Sequence, residues 1–243
     1  MQLNVYTKVD ELIRCLADNI CKIAEKAIQK RGEFNLVLSG GNSPKRLYEM
    51  LATQDYRDRV DWGKTYFFFG DERYVPEHDS QRNSLMAQKA LFEPLQIPES
   101  HIFKINTTVS PEDAAIKYYD TIITHFSNKK PKFDLILLGL GDNAHTASLF
   151  PHSSVLDVET EDIQSVYVSE LDSYRITMTA PLINQARNIA FLVYGAEKSD
   201  AVRQVIRNEG STQEYPARLI VQHTKRVQWY LDTQAVAQIQ SIF

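Results

Sequence analysis

A histidine after a glycine-punctuated turn is the first candidate for chemistry in this sequence. An apolar run from Phe133 to Leu138 predicts a buried strand, and the turn Gly139-Leu140-Gly141 then leads to His145. In an open α/β sheet, ligands bind in the crevice beyond the carboxyl ends of the strands. A histidine placed there can act as a general base, because its ordinary pKa lies near neutral pH. Taken alone, His145 is better explained as a surface-loop histidine or one satisfied inside the core, so its assignment as a base depends on other segments.

A second strand end has the composition of an anion-binding turn. Residues 34–38 are rich in residue types that favour strands, and the turn that follows contains Gly40, Gly41, Asn42 and Ser43. We expect Ser43 to cap a helix whose first residue is Pro44. Paired glycines allow close backbone approach, and amides at a helix N-terminus attract anions, which favours phosphate. An ordinary βα turn is the alternative, since the spacing matches neither a P-loop nor a dinucleotide-binding fingerprint.

A third apolar run, residues 65–69, ends in charged residues. Asp71, Glu72 and Arg73 follow it directly and would be costly to bury unpaired. We therefore expect all three to line the same sheet edge as Gly40 and His145, although a simple Glu–Arg surface pair is the alternative. Three polar strand ends in one chain favour a shared site.

Two basic residues are further candidates for contact with an anion. Arg175 begins a predicted strand, and Lys198 lies in the first turn of a predicted helix. A cation is unfavourable at a helix N-terminus, so Lys198 indicates an anionic ligand there. The alternative is that its long stem reaches solvent.

The elements that would position these residues alternate along the chain. Strands are predicted at 3–6, 34–38, 65–69, 133–138, 165–168, 175–179, 188–194, 218–222 and 227–231. Helices are predicted at 8–30, 44–52, 80–92, 111–127, 181–186, 197–207 and 233–241. This alternation is typical of the α/β class, with a mainly parallel, open, Rossmann-like sheet that carries helices on both faces.

Composition excludes several classes of protein. The chain has 243 residues with 43% hydrophobic residues, enough for a large core in one or at most two domains. A net charge of -4 gives no reason to expect nucleic-acid binding, and no apolar run approaches membrane-spanning length. Cys15 and Cys21 are expected to be reduced core thiols. We expect no metal, since the histidines lack metal-ligand spacing, and no secretion signal, which favours the cytoplasm.

The motifs together resemble one known family, the 6-phosphogluconolactonases of the pentose phosphate pathway. The resemblance rests on Ser-Gly-Gly-x-Ser-Pro at 39–44, Gly-Asp-Glu-Arg-x-Val-Pro at 70–76 and Asn83 in the segment 80–84. It continues through Leu-Gly-x-Gly-x-x-x-His-Thr-Ala-Ser-Leu-Phe-Pro at 138–151, Arg-Ile-Thr-Met-Thr at 175–179 and Gly-Ala-Glu-Lys at 195–198. These motifs occur in the family's order over nearly the whole chain, and they are specific jointly rather than singly.

The resemblance implies a glucosamine-6-phosphate deaminase-like fold and hydrolysis of 6-phosphogluconolactone by one domain, residues 1–243. His145 would be the general base, with Asp71 and Arg73 completing the catalytic set. The substrate-binding residues would be Gly40, Gly41, Asn42, Ser43, Asn83, Asn143, Thr146, Arg175 and Lys198. The resemblance assigns Arg175 and Lys198 to the phosphoryl group. No cofactor is implied, the partner is a small sugar-phosphate lactone, and a monomer or weak homodimer is expected.

The chain departs from the family pattern directly before the histidine, where Asn143-Ala144 replaces the usual Asp-Gly. Asn143 can still hydrogen-bond to the imidazole but supplies no charge to stabilise an imidazolium, so we expect some loss of rate. We expect the change to Ala144 to be minor.

Two other functions remain open. Glucosamine-6-phosphate deaminases share a similar fold, but their working glutamate has no counterpart in Ala147-Ser148-Leu149-Phe150-Pro151. A non-catalytic sugar-phosphate sensor is least favoured, because the chain shows no DNA-binding module and is not basic.

Overall fold

The strands of this protein form two sheets with different pairing. The computed structural model describes residues 1–207, 210–222 and 226–239. Its strands are β1 (Gln2–Tyr6), β2 (Phe34–Leu38), β3 (Thr65–Phe69), β4 (Asp71–Arg73), β5 (Leu135–Leu138), β6 (Ile163–Val168), β7 (Ser173–Met178), β8 (Ile189–Val193) and β9 (Val227–Asp232). A six-stranded sheet has the order β1-β9-β8-β5-β2-β3, and a three-stranded sheet has the order β4-β7-β6.

The larger sheet is parallel throughout, which confirms the predicted α/β class. Its central strands β2, β5 and β8 are buried at every position. Such continuous apolar strands are typical of parallel sheets that are covered by helices on their faces.

The helices connect these strands. They are α1 (Val9–Arg31), α2 (Asn42–Leu51), α3 (Gln54–Arg57), α4 (Asn83–Ala87), α5 (Glu93–Leu95), α6 (Pro111–His125), α7 (Ala180–Asn184), α8 (Ser199–Ile206) and α9 (Arg218–Val221). A π-helical turn, Gln88–Phe92, joins α4 to α5. The longest, α1, buries one apolar face, as its period predicts, and ends at Gly32, whose φ of 83° suits a left-handed C-cap.

The order of the strands creates a crevice at the edge where the larger sheet's strands end. Strand β2 lies between β3, which follows it in the chain, and β5, which returns to its other side. The segments after β2 and β5 therefore diverge, and this switch point is where open α/β sheets bind ligands. The Gly40 turn and the His145 loop both begin here.

The smaller antiparallel sheet is absent from the sequence-based prediction. Gly70 links the two sheets, because its amide donates to the carbonyl of Leu38 (3.0 Å) and its carbonyl accepts from the amide of Met178 (2.8 Å). The three residues after Gly70 pair with β7 instead of forming a loop. Short strands whose partners lie far along the chain leave little local signal.

Two predicted elements are wrong. Residues 218–222, predicted as a strand, contain α9, since a short apolar run does not distinguish a buried strand from a helical turn. Residues 233–239, predicted as part of a helix, form turns in which amides bond carbonyls three residues back, as Ala237 does to Gln234. The remainder of that predicted helix, 240–241, lies outside the described residues.

Both cysteines are free, as expected: Cys21 is buried and Cys15 accepts a hydrogen bond from the hydroxyl of Tyr6. None of the helices in the described part of the chain combines the length and apolar character that crossing a membrane requires.

Candidate active site

One cavity of about 840 Å³ lies at the switch point and brings the predicted site residues together. It is lined by segments that follow β2, β5 and β8 and by residues of β4 and β7. Its lining includes every residue to which the sequence resemblance assigns a catalytic or substrate-binding role, namely Gly40, Gly41, Asn42, Ser43, Asp71, Arg73, Asn83, Asn143, His145, Thr146, Arg175 and Lys198. The shared location of three separate strand ends is thus a property of the fold.

A buried tyrosine holds the start of the turn after β2 through two hydrogen bonds. The hydroxyl of Tyr48 donates to the carbonyl of Ser39 (2.8 Å) and accepts from its amide (3.0 Å). The N-cap of α2 is Gly41, with φ 100°, so the prediction of Ser43 as the cap is wrong by two positions. Glycine reaches this φ without strain, and the helix therefore begins at Asn42. The first turn of α2 contains no acidic residue, which leaves its amides available to an anion.

Gly40 is required by a close approach to Asn83. A Cβ at position 40 would lie 1.8 Å from Oδ1 of Asn83. The side-chain amide nitrogen of Asn83 donates to the main-chain carbonyl of Asp71 (3.0 Å) and lies 3.4 Å from Oδ1 of Asp71. The buried Oδ1 of Asn83 has no hydrogen-bond partner within the described part of the chain. Asn83 lines the cavity, and the hydrogen bonds of its side-chain nitrogen are made to Asp71.

We expect Gly40→Ala to damage both the fold and the site. The added methyl group must displace Asn83, and overpacking of this kind costs about 1–3 kcal/mol of unfolding free energy. Denaturant unfolding and kcat/KM would be measured beside Gly63→Ala, where the nearest atom to the new Cβ is 3.3 Å away on the exposed Asp61 side chain. Addition of Asn83→Ala should recover part of the lost unfolding free energy. Wild-type unfolding and kinetics in Gly40→Ala would contradict this packing argument.

The loop after β5 presents His145 in a defined tautomer. Oδ1 of Asn143 lies 2.6 Å from Nδ1 of His145 and also accepts from the His145 amide (3.3 Å). Since an amide N–H can only donate, the atom facing it is the oxygen, and Nδ1 must carry the proton. Nε2 is then left with its lone pair. The ring stacks on Phe150 with a centroid distance of 4.3 Å.

The loop around His145 is tight and contains left-handed residues. A Cβ at Gly141 would lie 2.1 Å from Nδ1 of His145, so only glycine allows the ring to pack there. Ala144 has φ 58°, the region where glycine is favoured and where another residue costs about 1–2 kcal/mol. Hydrogen bonds hold it, from its amide to the carbonyl of Gly141 and from the amide of Ala217 to its own carbonyl. Thr146 donates to the carbonyl of Gly139 (2.8 Å) and closes the loop.

The environment of His145 favours the neutral imidazole. Burial lowers the pKa of His145 from 6.5 to about 4, and the positive charges of Lys198 and Arg73 contribute to this shift. The carboxylates of Asp71 and Asp142 oppose this shift. The imidazole is consequently ready to accept a proton at neutral pH.

Ser148 is a site residue that the sequence interpretation missed. Its hydroxyl donates to Oδ2 of Asp71 (2.7 Å), and its amide donates to the hydroxyl of Thr177 (3.2 Å). Both Ser148 and Asp71 are buried. Ser148 follows His145 by three residues in a motif already singled out, but the sequence contains no sign that it meets Asp71.

Glu72 does not line the cavity, and its expected place beside Asp71 and Arg73 is wrong. Side chains alternate along β4, so Glu72 points to the opposite face and is fully buried. Its carboxylate accepts from the amides of Arg73 (2.8 Å), Asn83 (2.7 Å) and Ser84 (2.9 Å). Burial raises the pKa of Glu72, and these amides oppose the shift. Glu72 thereby fastens the start of α4 to β4.

Two guanidinium groups meet across the smaller sheet. Arg73 and Arg175 are direct partners in the β4–β7 register, an arrangement of like charges that is unfavourable by itself. Arg73 donates to the carbonyl of Gln81 (2.6 Å), and Arg175 donates to Oγ of Ser173 (2.8 Å). Neither forms an ion pair with a carboxylate in the described residues. Burial lowers the pKa of Arg175, and the charge of Arg73 lowers it further.

Lys198 also lines the cavity, and it is the N-cap residue of α8. Its ammonium group pairs with Oδ1 of Asp142 at 2.5 Å, and the Asp142 side chain is largely exposed. Among the described residues, the cavity therefore offers two arginines without a carboxylate partner and one lysine whose partner is solvent-exposed. An anion with several oxygens is the ligand that suits this set.

No group of three or more His, Cys, Asp or Glu side chains is placed to hold a metal ion in the residues that the structure describes. The carboxylate of Asp71 accepts hydrogen bonds from Ser148 and Asn83, and Nδ1 of His145 is hydrogen-bonded to Asn143.

Comparisons with known proteins agree with this geometry. A 6-phosphogluconolactonase from Synechocystis is 41% identical over 238 residues, which cover 96% of this chain and 94% of that protein. A 6-phosphogluconolactonase structure from Trypanosoma cruzi has a TM-score of 0.87 and 26% identity, covering 98% of this chain and 97% of that one. A monomeric glucosamine-6-phosphate deaminase matches with a TM-score of 0.82 over 98% of this chain and 99% of that one. Its 18% identity shows a shared fold alone.

The sequence model of the family described as glucosamine-6-phosphate isomerases/6-phosphogluconolactonase matches residues 7–229 of this chain. That match spans nearly all of the sequence and includes every residue of the cavity described above. The chain belongs to the glucosamine-6-phosphate isomerase/6-phosphogluconolactonase family.

Proposed function

We propose that this chain hydrolyses 6-phospho-D-glucono-1,5-lactone to 6-phosphogluconate in the oxidative pentose phosphate pathway. The observation that carries the proposal is a neutral His145 in the same cavity as two arginines, where neither Nε2 of His145 nor the arginines meet a carboxylate among the described residues. Hydrolysis of a phosphorylated lactone requires a general base and a group that binds the phosphate, and candidates for both lie in this cavity. The names of the similar lactonases support the same substrate.

The phosphoryl group would be held by Arg175, Arg73, Lys198 and the amides at the start of α2. Each guanidinium can donate two parallel hydrogen bonds to phosphate oxygens, whereas the ammonium of Lys198 acts as a point charge. The phosphate would also neutralise the repulsion between Arg73 and Arg175.

His145 would activate the water directly. Nε2 takes a proton as the water oxygen bonds to the lactone carbonyl carbon, and the imidazolium returns a proton to the ring oxygen as the carbon–oxygen bond breaks. Asn143 holds the ring orientation through Nδ1. Amides of the Gly139–His145 turn are candidates to stabilise the oxyanion.

Asp71 would bind hydroxyl groups of the sugar. Ser148 and Asn83 hold its carboxylate in place from two sides, which fixes the direction of the remaining lone pairs. We assign Ser148 and Asn83 as positioning residues.

Replacement of Asn143 by aspartate should move the pH profile. A carboxylate beside Nδ1 stabilises the imidazolium and raises the His145 pKa by about 1–3 units. Because the base must be neutral, kcat/KM in the wild type should fall only below about pH 4, the pKa set by burial. In Asn143→Asp the fall should begin at higher pH, and kcat near neutral pH should rise with the basicity of the imidazole.

The measurement is kcat/KM from pH 3.5 to 8 with spontaneous lactone hydrolysis subtracted. Asn128→Asp, a change at an exposed asparagine remote from the cavity lining, serves as the charge-matched control. An unchanged acidic limb in Asn143→Asp would show that Asn143 does not act through the imidazole.

Asp142→Asn should improve substrate binding. Asp142 neutralises Lys198 and repels an incoming phosphate, so its removal frees the cation. Exposed ion pairs are worth up to about 1 kcal/mol, which corresponds to a decrease in KM of about two- to fivefold. Asp58→Asn, at another exposed aspartate, is the control. An increase in KM for Asp142→Asn would instead assign Asp142 a part in substrate binding.

Parallel assays separate this function from its alternatives. Lactone hydrolysis should be fast while ammonia release from glucosamine 6-phosphate is absent, because the segment 147–151 contains no carboxylate for proton transfer. Ammonia release without lactonase activity would favour the deaminase function. Tight binding of 6-phosphogluconate with neither activity would favour a sugar-phosphate sensor.

We further propose that residues 1–243 work as a single lactonase domain in the cytoplasm, as a monomer or weak homodimer. Sedimentation equilibrium of the purified chain tests the oligomeric state.

A further inference from the structure

A second cavity, of about 520 Å³, lies away from the active site and is strongly basic. Four lysines line it, Lys22, Lys26, Lys30 and Lys132, together with three arginines, Arg31, Arg187 and Arg226. No carboxylate is among its lining residues in the part of the chain that the structure describes. This concentration of positive charge is unusual in a chain whose net charge is -4.

The cavity lies at the opposite end of the larger sheet from the active site. Lys132 precedes β5, Arg187 precedes β8 and Arg226 precedes β9, so the amino ends of these strands border it. The active-site segments follow the carboxyl ends of β5 and β8. Strands of four or five residues separate the two regions by about 13–17 Å. The substrate phosphate in the active site therefore cannot reach these cations.

Three of the lysines form a stripe on α1. Lys22, Lys26 and Lys30 are four residues apart, which places them on one face over about 12 Å of helix. Their side chains and that of Lys132 make no ion pair or hydrogen bond within the described residues. Like charges at this spacing repel one another, so the stripe does not stabilise the helix.

The three arginines are held by groups that lie outside the cavity lining. Oδ1 of the buried Asp134 contacts Nη2 of Arg31 (2.6 Å) and Nε of Arg187 (3.3 Å). Its other oxygen accepts from the amide of Asn35 (2.9 Å). Arg226 donates from Nη1 to the carbonyl of Ala186 (3.1 Å). One carboxylate thus orients two guanidinium groups and neutralises only one positive charge.

We propose that this cavity is a second binding site, for a small anion that carries two or more phosphate groups. Its volume suits a small ligand and is too small for a folded partner. Oriented guanidinium forks match phosphate oxygens, and the 12 Å lysine stripe fits a row of phosphates better than a single one. A concave surface lined by one sign of charge concentrates such ions.

The test uses inorganic tripolyphosphate as the probe, with pyrophosphate and orthophosphate as shorter comparisons. Binding to the full chain is measured by isothermal titration calorimetry in the presence of saturating 6-phosphogluconate, which occupies the active site. The cavity variant is Lys22→Gln/Lys26→Gln/Lys30→Gln. The charge-matched control is Lys8→Gln/Lys117→Gln/Lys129→Gln, at exposed lysines outside the cavity. Thermal unfolding and lactonase activity verify that both variants are folded.

We expect one saturable site whose affinity rises from orthophosphate to tripolyphosphate and which the cavity variant weakens by about tenfold or more. The control variant should bind as the wild type does. Equal weakening in both variants would overturn the proposal, because it would indicate a general charge effect. Absence of saturable binding, loss of binding when 6-phosphogluconate is added, or binding of an oligoglutamate peptide but not of tripolyphosphate would overturn it as well.

Discussion

Replacement of His145 by alanine is expected to lower kcat by about 10²–10⁴-fold, the usual contribution of a general base. The expectation follows from the proton on Nδ1, which Asn143 fixes, and from the lone pair that this leaves on Nε2. The affinity for 6-phosphogluconate should change little, because the side chains proposed to hold the phosphate remain. Steady-state kinetics and product binding by calorimetry measure the two effects separately.

His78→Ala is a suitable control for this variant, since His78 is exposed and lies outside the cavity. Full kcat is expected there. A folded His145→Ala protein with undiminished kcat would exclude His145 as the base. A loss of product binding equal to the loss of kcat would assign His145 to substrate binding instead.

Replacement of Arg175 or Arg73 by alanine should weaken substrate binding more than it lowers kcat. Loss of one charge-assisted contact costs about 1.5–3 kcal/mol, so KM should rise by roughly tenfold to a hundredfold in Arg175→Ala and in Arg73→Ala. Arg175→Lys should recover only part of the loss, because an ammonium cannot make two parallel hydrogen bonds. Inorganic phosphate should raise the Tm of the wild type and have less effect on both alanine variants.

Arg57→Ala, at an exposed arginine remote from the cavity, provides the control for loss of one positive charge. Its KM and its phosphate-dependent Tm should match the wild type. If the Arg175 and Arg73 variants keep a wild-type KM, the phosphate lies elsewhere in the cavity. A fall in kcat with unchanged KM would place these arginines at the reacting carbonyl.

The main sheet and the positions of the site residues could be predicted because their signals are local. The mainly apolar runs of β2, β3 and β5 are each followed within two residues by glycine, and strand ends of a parallel sheet meet at one edge. His145, Gly40 and Asp71 could therefore be assigned to one site before any contact between them was known. The glycine at position 141 also has a local explanation, because a Cβ there would collide with the imidazole ring of His145.

Contacts between distant segments could not be predicted from sequence patterns. The smaller sheet pairs Asp71–Arg73 with residues about a hundred positions later, and that pairing alone turns Glu72 away from the cavity and sets Arg73 against Arg175.

By itself, the sequence determined which residues can carry protons and charge and which strands bring them to a common edge, because both follow from residue type and local periodicity. Only the tertiary structure decided which partner each group meets: Ser148 for Asp71, Asp142 for Lys198 and Asn143 for the imidazole. It also decided that Ala144 adopts a left-handed φ. The physical reason is that hydrogen bonds, burial and like-charge contacts depend on which distant segments the fold brings together. Contacts between distant segments produce no periodic pattern in the sequence.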